Sequence, residues 1–593
     1  MGATPYGEGV TFRVWAPFAR GVSVAGTMNG WSLTRHPLSA EGNGTWSADV
    51  AGAKPGDEYK LVVVSASGDA LWRRDPYART VTAAGNGIVA SDDFAWREGD
   101  FQMPSWNTLV LYELHVGTFS FDPATGRGNF DTVIARLDGI RDLGCNAIQL
   151  MPSDEFAGSV SWGYNPSDLF AIEESYGGLD ALRHLVDAAH ARGIAVFFDV
   201  VYNHFGPDDL DLWRFDGWSQ DGGGGIYFYN DWRRATPWGD TRADYGRGEV
   251  RQFIRDNVLH WLEACRLDGL RWDATGFIRN AHGRDNSPAD DLPDGWSLMQ
   301  WCTSEVRSRQ PWKLLIAEDM HDNGWLTRSA GAGGAGFGAQ WSGGFVHAVH
   351  AAATAARDED RSMAALAAVI EQRLGDDACA RVLFTESHDE VAAGNGGARL
   401  PERIAPGNAD GYAAQKRSTL AAALVFTAPG IPMMFMGQEH LEWGAWSDDR
   451  ELDWSKAARF AGITALYRDL AHLRRNWADA TRGLSGPNVH VHHVNDADKV
   501  LAFHRWDRGG PRDDVVVVLS FSHRAFPAYR IGLPRGGRWR VRFNGDWRGY
   551  SALFGDCPSL DLEAVPGANG DGMPFGGDVG VGAYTAIVLS QDA

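Results

Sequence analysis

From about residue 105 to 480 the chain alternates short, wholly apolar runs with amphipathic stretches, and this rhythm restricts the fold more than any other feature. The apolar runs lie at 109–116, 147–152, 195–201, 269–274, 314–319, 381–387 and 432–437, with a weaker eighth needed around 338–346. Between them, 179–191 places Leu182, Leu185, Val186 and Ala189 on one helical face. Residues 249–262 set Val250, Phe253, Ile254, Val258 and Trp261 at helical spacing. Strands that are apolar on both faces must be covered on both sides, which is the condition of a parallel sheet wrapped by helices. Seven or eight such units over this length predict a (β/α)8 TIM barrel, an α/β fold.

The flanks follow a different period. Thr11, Phe12, Arg13, Val14 and Trp15 alternate as a strand with one buried face does, and Asn29-Gly30 and Asn43-Gly44 are turn signals. Strand-like runs return beyond about 488, in VLAFHRW, DVVVVLSF, WRVRF and AYTAIVLS. The expected organisation is an N-terminal β-sandwich at 1–98, the barrel at 99–485 and a C-terminal β-sandwich at 486–593. Within the barrel, 205–247 is rich in glycine and aromatic residues, lacks a helical pattern, and is expected to be an excursion after the third strand.

Composition narrows the function. With 55 basic and 76 acidic residues the net charge is −21, which argues against nucleic acid and against an anionic membrane as partners. No run of about 18 apolar residues is present, and the opening MGATPYGEGV has neither a basic nor an apolar leader segment, so a cytoplasmic protein is expected. The five cysteines, Cys145, Cys265, Cys302, Cys379 and Cys557, form no CxxC pair, so neither a zinc cluster nor a disulfide framework is expected. No metal and no cofactor are expected. The 25 tryptophans suit either an aromatic-rich core or stacking surfaces for sugar rings.

In a barrel of this kind the site lies at the carboxyl ends of the strands. Asp199 ends the third, followed by Asn203 and His204. Arg271, Trp272 and Asp273 end the fourth, Glu318 and Asp319 the fifth, and His388, Asp389 and Glu390 follow the seventh, while the first carries Glu113 and His115. A lone Asp in such a place is usually a turn or helix-capping residue. Several together point to function, because gathering buried carboxylates around one axis costs folding energy. Arg271, two residues before Asp273, faces the same side of its strand and can pair with it through a charge-assisted hydrogen bond. A divalent-metal hydrolase would want a second histidine on the first strand or one on a middle strand, and neither is there. Paired carboxylates on adjacent strands suit glycoside hydrolysis, with about 5–5.5 Å between them for retention of configuration.

At these residues the sequence resembles the alpha-amylase superfamily of retaining α-glucan hydrolases and transglycosylases. The matching stretches, in the family's order, are WGYNP at 162–166, DVVYNH at 199–204, GLRWDA at 269–274, IAED at 316–319 and ESHDE at 386–390. The resemblance implies Asp273 as nucleophile, Glu318 as general acid and then base, and Asp389 as the group stabilising an oxocarbenium-like transition state. It implies Tyr164, Asp199, His204, Arg271 and His388 as the residues lining the reacting sugar's subsite, Tyr164 by stacking. An α-glucan or maltooligosaccharide is then the substrate. FRVWAP at 12–17, VSVAGTMNGW at 22–31 and GDEYK at 56–60 resemble the module that precedes the barrel in branching enzymes, isoamylases and maltooligosyltrehalose trehalohydrolases, where Trp31 and Trp46 are candidates for glucan contact.

The branch within the superfamily is marked in two directions. DVVYNHFGP and TPWGD at 236–240 look like trehalohydrolases, whereas ESHDEV and PMMFMGQEHLEWGAWSDDRELDWS at 432–455 look like branching enzymes. The Lys-His pair that endo-amylases carry after the nucleophile is replaced by Ala274-Thr275-Gly276. The leading expectation is transglycosylation of α-1,4-glucans to make branches. Release of trehalose, plain α-glucan hydrolysis and an inactive glucan-binding protein are the alternatives.

Overall fold

The structure, a computed structural model, describes residues 1–567 and 571–593. Eight parallel strands close into a barrel: β1 (Leu111–Leu114), β2 (Ala147–Leu150), β3 (Ala195–Val200), β4 (Gly269–Trp272), β5 (Leu314–Ala317), β6 (Ala339–Trp341), β7 (Arg381–Leu383) and β8 (Ile431–Phe435). Every residue of these strands is buried, as continuous apolar runs require. The weak eighth signal is β6, only three residues long and carrying Gln340 inside an otherwise apolar run. The chain falls into two compact units, one of residues 1–101, 115–135 and 150–318, the other of 102–114, 136–149 and 319–593.

In the first unit, β3, β4 and β5 pair in register, with Asp199 opposite Arg271 and Arg271 opposite Ile316. Helix α1 (Gly178–His190) buries Leu182, Leu185, Val186 and Ala189, the face read from the sequence. Helix α2 (Gly248–Leu259) continues into a wider π-helical turn at His260–Ala264, which buries Trp261 against Phe198 at 5.1 Å. A short helix, α3 (Thr275–Arg279), leaves directly from the end of β4.

The N-terminal residues form two four-stranded sheets. One joins Gly2–Tyr6, Gly9–Trp15, Thr45–Ala51 and Ser39–Ala40; the other joins Gly21–Gly26, Glu58–Val64, Ala70–Arg73 and Gly87–Ile88. The excursion 205–247 has one 3-10 turn, Trp232–Arg234, and otherwise irregular backbone among the described residues. The sandwich braces it. Arg73 donates to the carbonyls of Phe215 and Arg214, both at 2.9 Å, and the backbone N–H of Phe18 donates to Asp216 at 3.0 Å. Arg74 pairs with Asp168 at 3.2 Å and Asp209 at 2.8 Å, and Phe18 stacks on Trp218 at 4.6 Å.

In the second unit, α4 (Tyr412–Thr427) is buried along nearly its whole length, and α5 (Ala461–Arg474) presents Ile463, Leu466, Tyr467, Leu470 and Ala471 inward. The C-terminal strands, from Asn488–Asn495 to Thr585–Ser590, form an eight-stranded antiparallel sheet. Its core includes Val516, Val518, Ile531, Trp539, Val581, Ile587 and Leu589.

Candidate active site

Parallel pairing decides where the charged groups of the first unit stand. Asp199 and Arg271 are ladder neighbours on β3 and β4, so their side chains project to the same side of the sheet. Asp273 lies one residue beyond β4, its N–H bonded to the Val200 carbonyl at 2.9 Å. Glu318 lies one beyond β5, its N–H bonded to Trp272 at 3.0 Å. The backbones of both residues therefore extend the barrel's own hydrogen-bond ladder by one position.

The Arg271 guanidinium is fully buried and organises the cluster. Its Nη1 donates to both carboxylate oxygens of Asp199, at 2.9 and 2.8 Å, and to Asp273 Oδ1 at 2.8 Å. Nη2 stands 3.7 Å from Glu318 Oε2. Burial pushes the guanidinium toward neutrality, but Asp199, Tyr164, Asp273 and Glu318 outweigh it, so its affinity for the proton is raised well above the ordinary value. The phenol of Tyr164 donates to Asp199 Oδ2 at 2.6 Å, which places the aromatic ring beside the cluster.

Three further hydrogen bonds hold Glu318. The N–H of Ala274 donates to Oε2 at 2.6 Å, and the Thr275 N–H and hydroxyl both bond the Glu318 carbonyl, at 2.9 and 2.8 Å. Ala274 reaches this position in the left-handed region, φ 40° and ψ 50°, a strained conformation for a residue with a Cβ. The strain falls directly after Asp273, where the chain must turn from strand into α3. Trp272 fills the barrel, buried against Tyr202 at 4.7 Å.

His204 engages both ring nitrogens within the protein. Nδ1 lies 3.0 Å from the Asn203 amide nitrogen and so accepts, which makes Nε2 the protonated nitrogen that donates to the Tyr164 carbonyl at 2.8 Å. Burial lowers its pKa despite the opposing charge of Asp273, so the ring is neutral.

The second unit carries its own constellation. His388, at the start of the turn after β7, is buried with its Nδ1 2.8 Å from Glu113 Oε1 and its Nε2 3.4 Å from Asp389 Oδ2. Its backbone N–H also donates to Glu113 at 3.2 Å. Burial opposes charge on the imidazole, but Asp389 and Glu113 together raise its pKa well above the usual value, and the ring is an imidazolium. Asn395 donates to the other oxygen of Asp389 at 3.3 Å, and the Asp389 side chain remains about half exposed.

The structure thus gathers Tyr164, Asp199, His204, Arg271, Asp273 and Glu318 in one unit, and His388 with Asp389 in the other. His115, a strand-end candidate, is instead a brace, bonded to Thr118 at 2.9 Å and to the Ser161 carbonyl at 3.0 Å. Two participants, Asp154 and Trp238, escaped sequence reasoning, and a third was read without its role. Glu113 was visible only as one more buried carboxylate. Asp154 is buried beside Asp199, and burial followed by that charge raises its pKa well above the usual range. Trp238, at the tip of a Thr236–Gly239 turn in the excursion, stacks on His204 at 4.7 Å and meets the edge of Phe277 at 5.0 Å while 43% exposed. On the sandwich, Trp31 lies 6.3 Å from Trp72, whereas the Trp46 indole N–H donates to the Ala16 carbonyl at 3.0 Å.

Comparison with known proteins places this arrangement. Residues 1–78 match the carbohydrate-binding module 48 (isoamylase N-terminal domain) model, 115–214 the alpha amylase catalytic domain, and 490–592 the alpha amylase C-terminal all-beta domain. A 1,4-alpha-glucan branching enzyme of Corynebacterium efficiens is 30% identical over 96% of this chain and 78% of its own length. The chain belongs to the alpha-amylase family. The branching enzyme of Marinobacter nauticus is also 30% identical, over 94% of this chain and 90% of its own. A branching enzyme of Xanthomonas campestris is 31% identical over 91% of this chain and 75% of its own. Among solved structures, a putative alpha amylase from Salmonella typhimurium superposes with a TM-score of 0.74 at 23% identity, covering 100% of this chain and 99% of that one. A pullulanase from Anoxybacillus complexed with maltotetraose does so with a TM-score of 0.76 at 22% identity, over 100% and 87% of the two chains. The structural likenesses carry the fold. The sequence relatives make this chain an alpha-amylase-family glycoside hydrolase or transglycosylase. No helix among the described residues is long and apolar enough to cross a membrane.

Proposed function

We propose that this protein is a 1,4-α-glucan branching enzyme that works by double displacement, in the cytoplasm, on α-1,4-linked glucan. The observation that carries the chemistry is the single Arg271 guanidinium, bonded to Asp273 and facing Glu318 at the ends of adjacent strands. The branching assignment draws on the relatives named above, which align with over nine-tenths of the chain.

In this mechanism Asp273 attacks the anomeric carbon while Glu318 gives its proton to the leaving glycosidic oxygen. The C–O bond to the leaving chain breaks as the bond to Asp273 forms. Glu318, now ionised, then takes the proton from the 6-hydroxyl of an acceptor glucan. That oxygen displaces Asp273 and makes the α-1,6 link, with configuration retained over two inversions. Arg271 and Asp199 fix the nucleophile, and Tyr164 supplies an apolar ring face to the sugar. His204 serves as a wall, because its nitrogens are spent on Asn203 and Tyr164. Asp389 binds the sugar hydroxyls and opposes the positive charge that develops at the anomeric centre, oriented by the His388 imidazolium. We assign 1–98, 99–485 and 486–593 as the N-terminal sandwich, catalytic barrel and C-terminal sandwich for this activity.

The test is product analysis by proton NMR after incubation with amylose and, separately, with maltooligosyl-trehalose. The expected result is new α-1,6 signal from amylose with few new reducing ends, and its near-complete loss in Glu318→Gln. Free trehalose from the second substrate, or reducing sugar alone from the first, would overturn the branching assignment in favour of hydrolysis. Unchanged turnover in Glu318→Gln would overturn the site.

A further inference from the structure

Three arginines from three elements converge on one turn of the second unit. The connection from α4 to β8 exposes its carbonyls to them in succession. Arg505, on the C-terminal strand Val500–Trp506, donates through Nη1 to Thr427 at 2.6 Å. Arg381, the first residue of β7, donates through Nε to Pro429 at 2.7 Å. Arg474, the last residue of α5, donates through Nη2 to Gly430 at 2.5 Å. Each is at most 1% exposed.

Their remaining bonds also run to main-chain carbonyls. Arg505 reaches Leu484 and Gly486, both at 2.8 Å, and Arg381 reaches Val369 at 2.6 Å and Ile370 at 2.9 Å. Among the described residues, none of the three makes an ion pair or hydrogen bond with a carboxylate. Nε and Nη1 of Arg474 are buried with no hydrogen-bond partner among the described residues. Carbonyl dipoles return only part of the solvation that a buried guanidinium gives up, and like charges on one turn repel. Burial, joined by the charges of Arg474 and Arg381, pushes Arg505 well below the ordinary guanidinium range. The Cys379 thiol stands within hydrogen-bonding reach of Arg474 and acts on Arg505, but burial pushes its own pKa up, so it stays neutral. The counter-charge acting on the cluster is that of Asp322 on Arg381, and these two make no ion pair among the described residues.

We propose that Arg381, Arg474 and Arg505 hold a small monovalent anion of the size of chloride, seated against an open N–H of Arg474. A halide is satisfied by a few N–H donors. An oxyanion such as phosphate presents more acceptor sites than Arg474 has open donors, which favours the smaller ion. The ion neutralises part of the charge where the C-terminal domain, α4, α5 and β7 meet, so its role is to hold that junction together rather than to take part in glycosyl transfer.

The test uses the full chain and no activity assay. Thermal unfolding is followed in potassium chloride and in potassium gluconate at matched ionic strength, and crystals are soaked in bromide. The expected result is a saturable rise in Tm of about 2 °C or more with chloride or bromide over gluconate. An anomalous bromide peak should lie beside Arg474. Arg474→Met should lose the halide-dependent part of the rise, while Cys379→Ala should keep it. Equal Tm in the two salts, or bromide peaks only elsewhere, would overturn the proposal, as would a halide response that survives Arg474→Met. If Arg474→Met does not fold, the bromide map of the unaltered protein decides the matter.

Discussion

Asp199, Asp273 and Arg271 form a charge cluster in which each member removes the cost of burying the others. Arg271 has no exposed surface, and Asp199 likewise has none. Breaking a buried pair by deleting one partner strands the other charge, a penalty of about 3–5 kcal/mol. Arg271→Met should therefore lower the urea midpoint by that equivalent in addition to abolishing turnover, whereas Asp389→Asn, at a half-exposed carboxylate, should abolish turnover with a smaller loss of midpoint, because Glu113 still pairs the buried His388 imidazolium. His388 gives a pH-dependent counterpart. Its folded pKa is raised by Asp389 and Glu113, so the native state holds the proton more tightly than the unfolded chain. The resulting stability is fully present below the unfolded value of about 6.5 and is lost as pH rises through the raised folded value. Glu113→Gln removes one of the two carboxylates and brings the folded value down. Its urea midpoint should begin to fall at lower pH than that of the unaltered protein, and superimposable pH profiles would refute the pairing.

At the scale of elements, the strands and their terminal residues were legible because parallel strands buried on both faces read as uninterrupted apolar runs. Asp199, Asp273 and Glu318 could be placed for the same reason, since each sits at or just past the end of such a run. The excursion was legible only as an absence of helix. Its brace was hidden because Arg74 meets Asp209 and Phe18 meets Asp216 across separations of 135 and 198 residues, distances at which no local pattern exists. Trp238 was hidden for the same reason, as TPWGD says nothing of the histidine ring it covers. Arg74 is buried and joins the sandwich to Asp168 and to the excursion. Arg74→Met should cost about 3 kcal/mol or more and make 205–247 the first site of limited proteolysis. Because Trp238 is carried on that segment, KM for glucan should rise more than kcat falls. Equal loss in both would mean that the excursion is not what the arginine holds.

Over the larger part of the chain, the C-terminal domain is fastened to the barrel helices by charges that water never reaches. Lys416, in the middle of α4, is wholly buried and donates to Asp546 at 2.8 Å and to the Gly545 carbonyl at 3.1 Å, with Phe554 over its ammonium at 4.5 Å. Asp546 in turn accepts the N–H groups of Gly555 and Cys557, at 3.0 and 2.9 Å, so one carboxylate ties a barrel helix to two turns of the domain. Burial first, against the pull of Asp546, brings the Lys416 pKa down to about 8. Arg505 adds a second tie from the domain to the end of the same helix. A domain attached only through an exposed linker could be removed with little effect on its neighbour. Here removal would leave Lys416 without its anion and the Thr427 carbonyl without its donor, and would bare a helix with buried residues along nearly its full length. A chain ending at residue 485 should accordingly fail to fold, appearing in the insoluble fraction or, if soluble, lacking near-ultraviolet circular dichroism and protected amides in α4. A soluble truncated protein with native-like hydrogen exchange in α4 would show that these ties hold the domain without holding up the barrel.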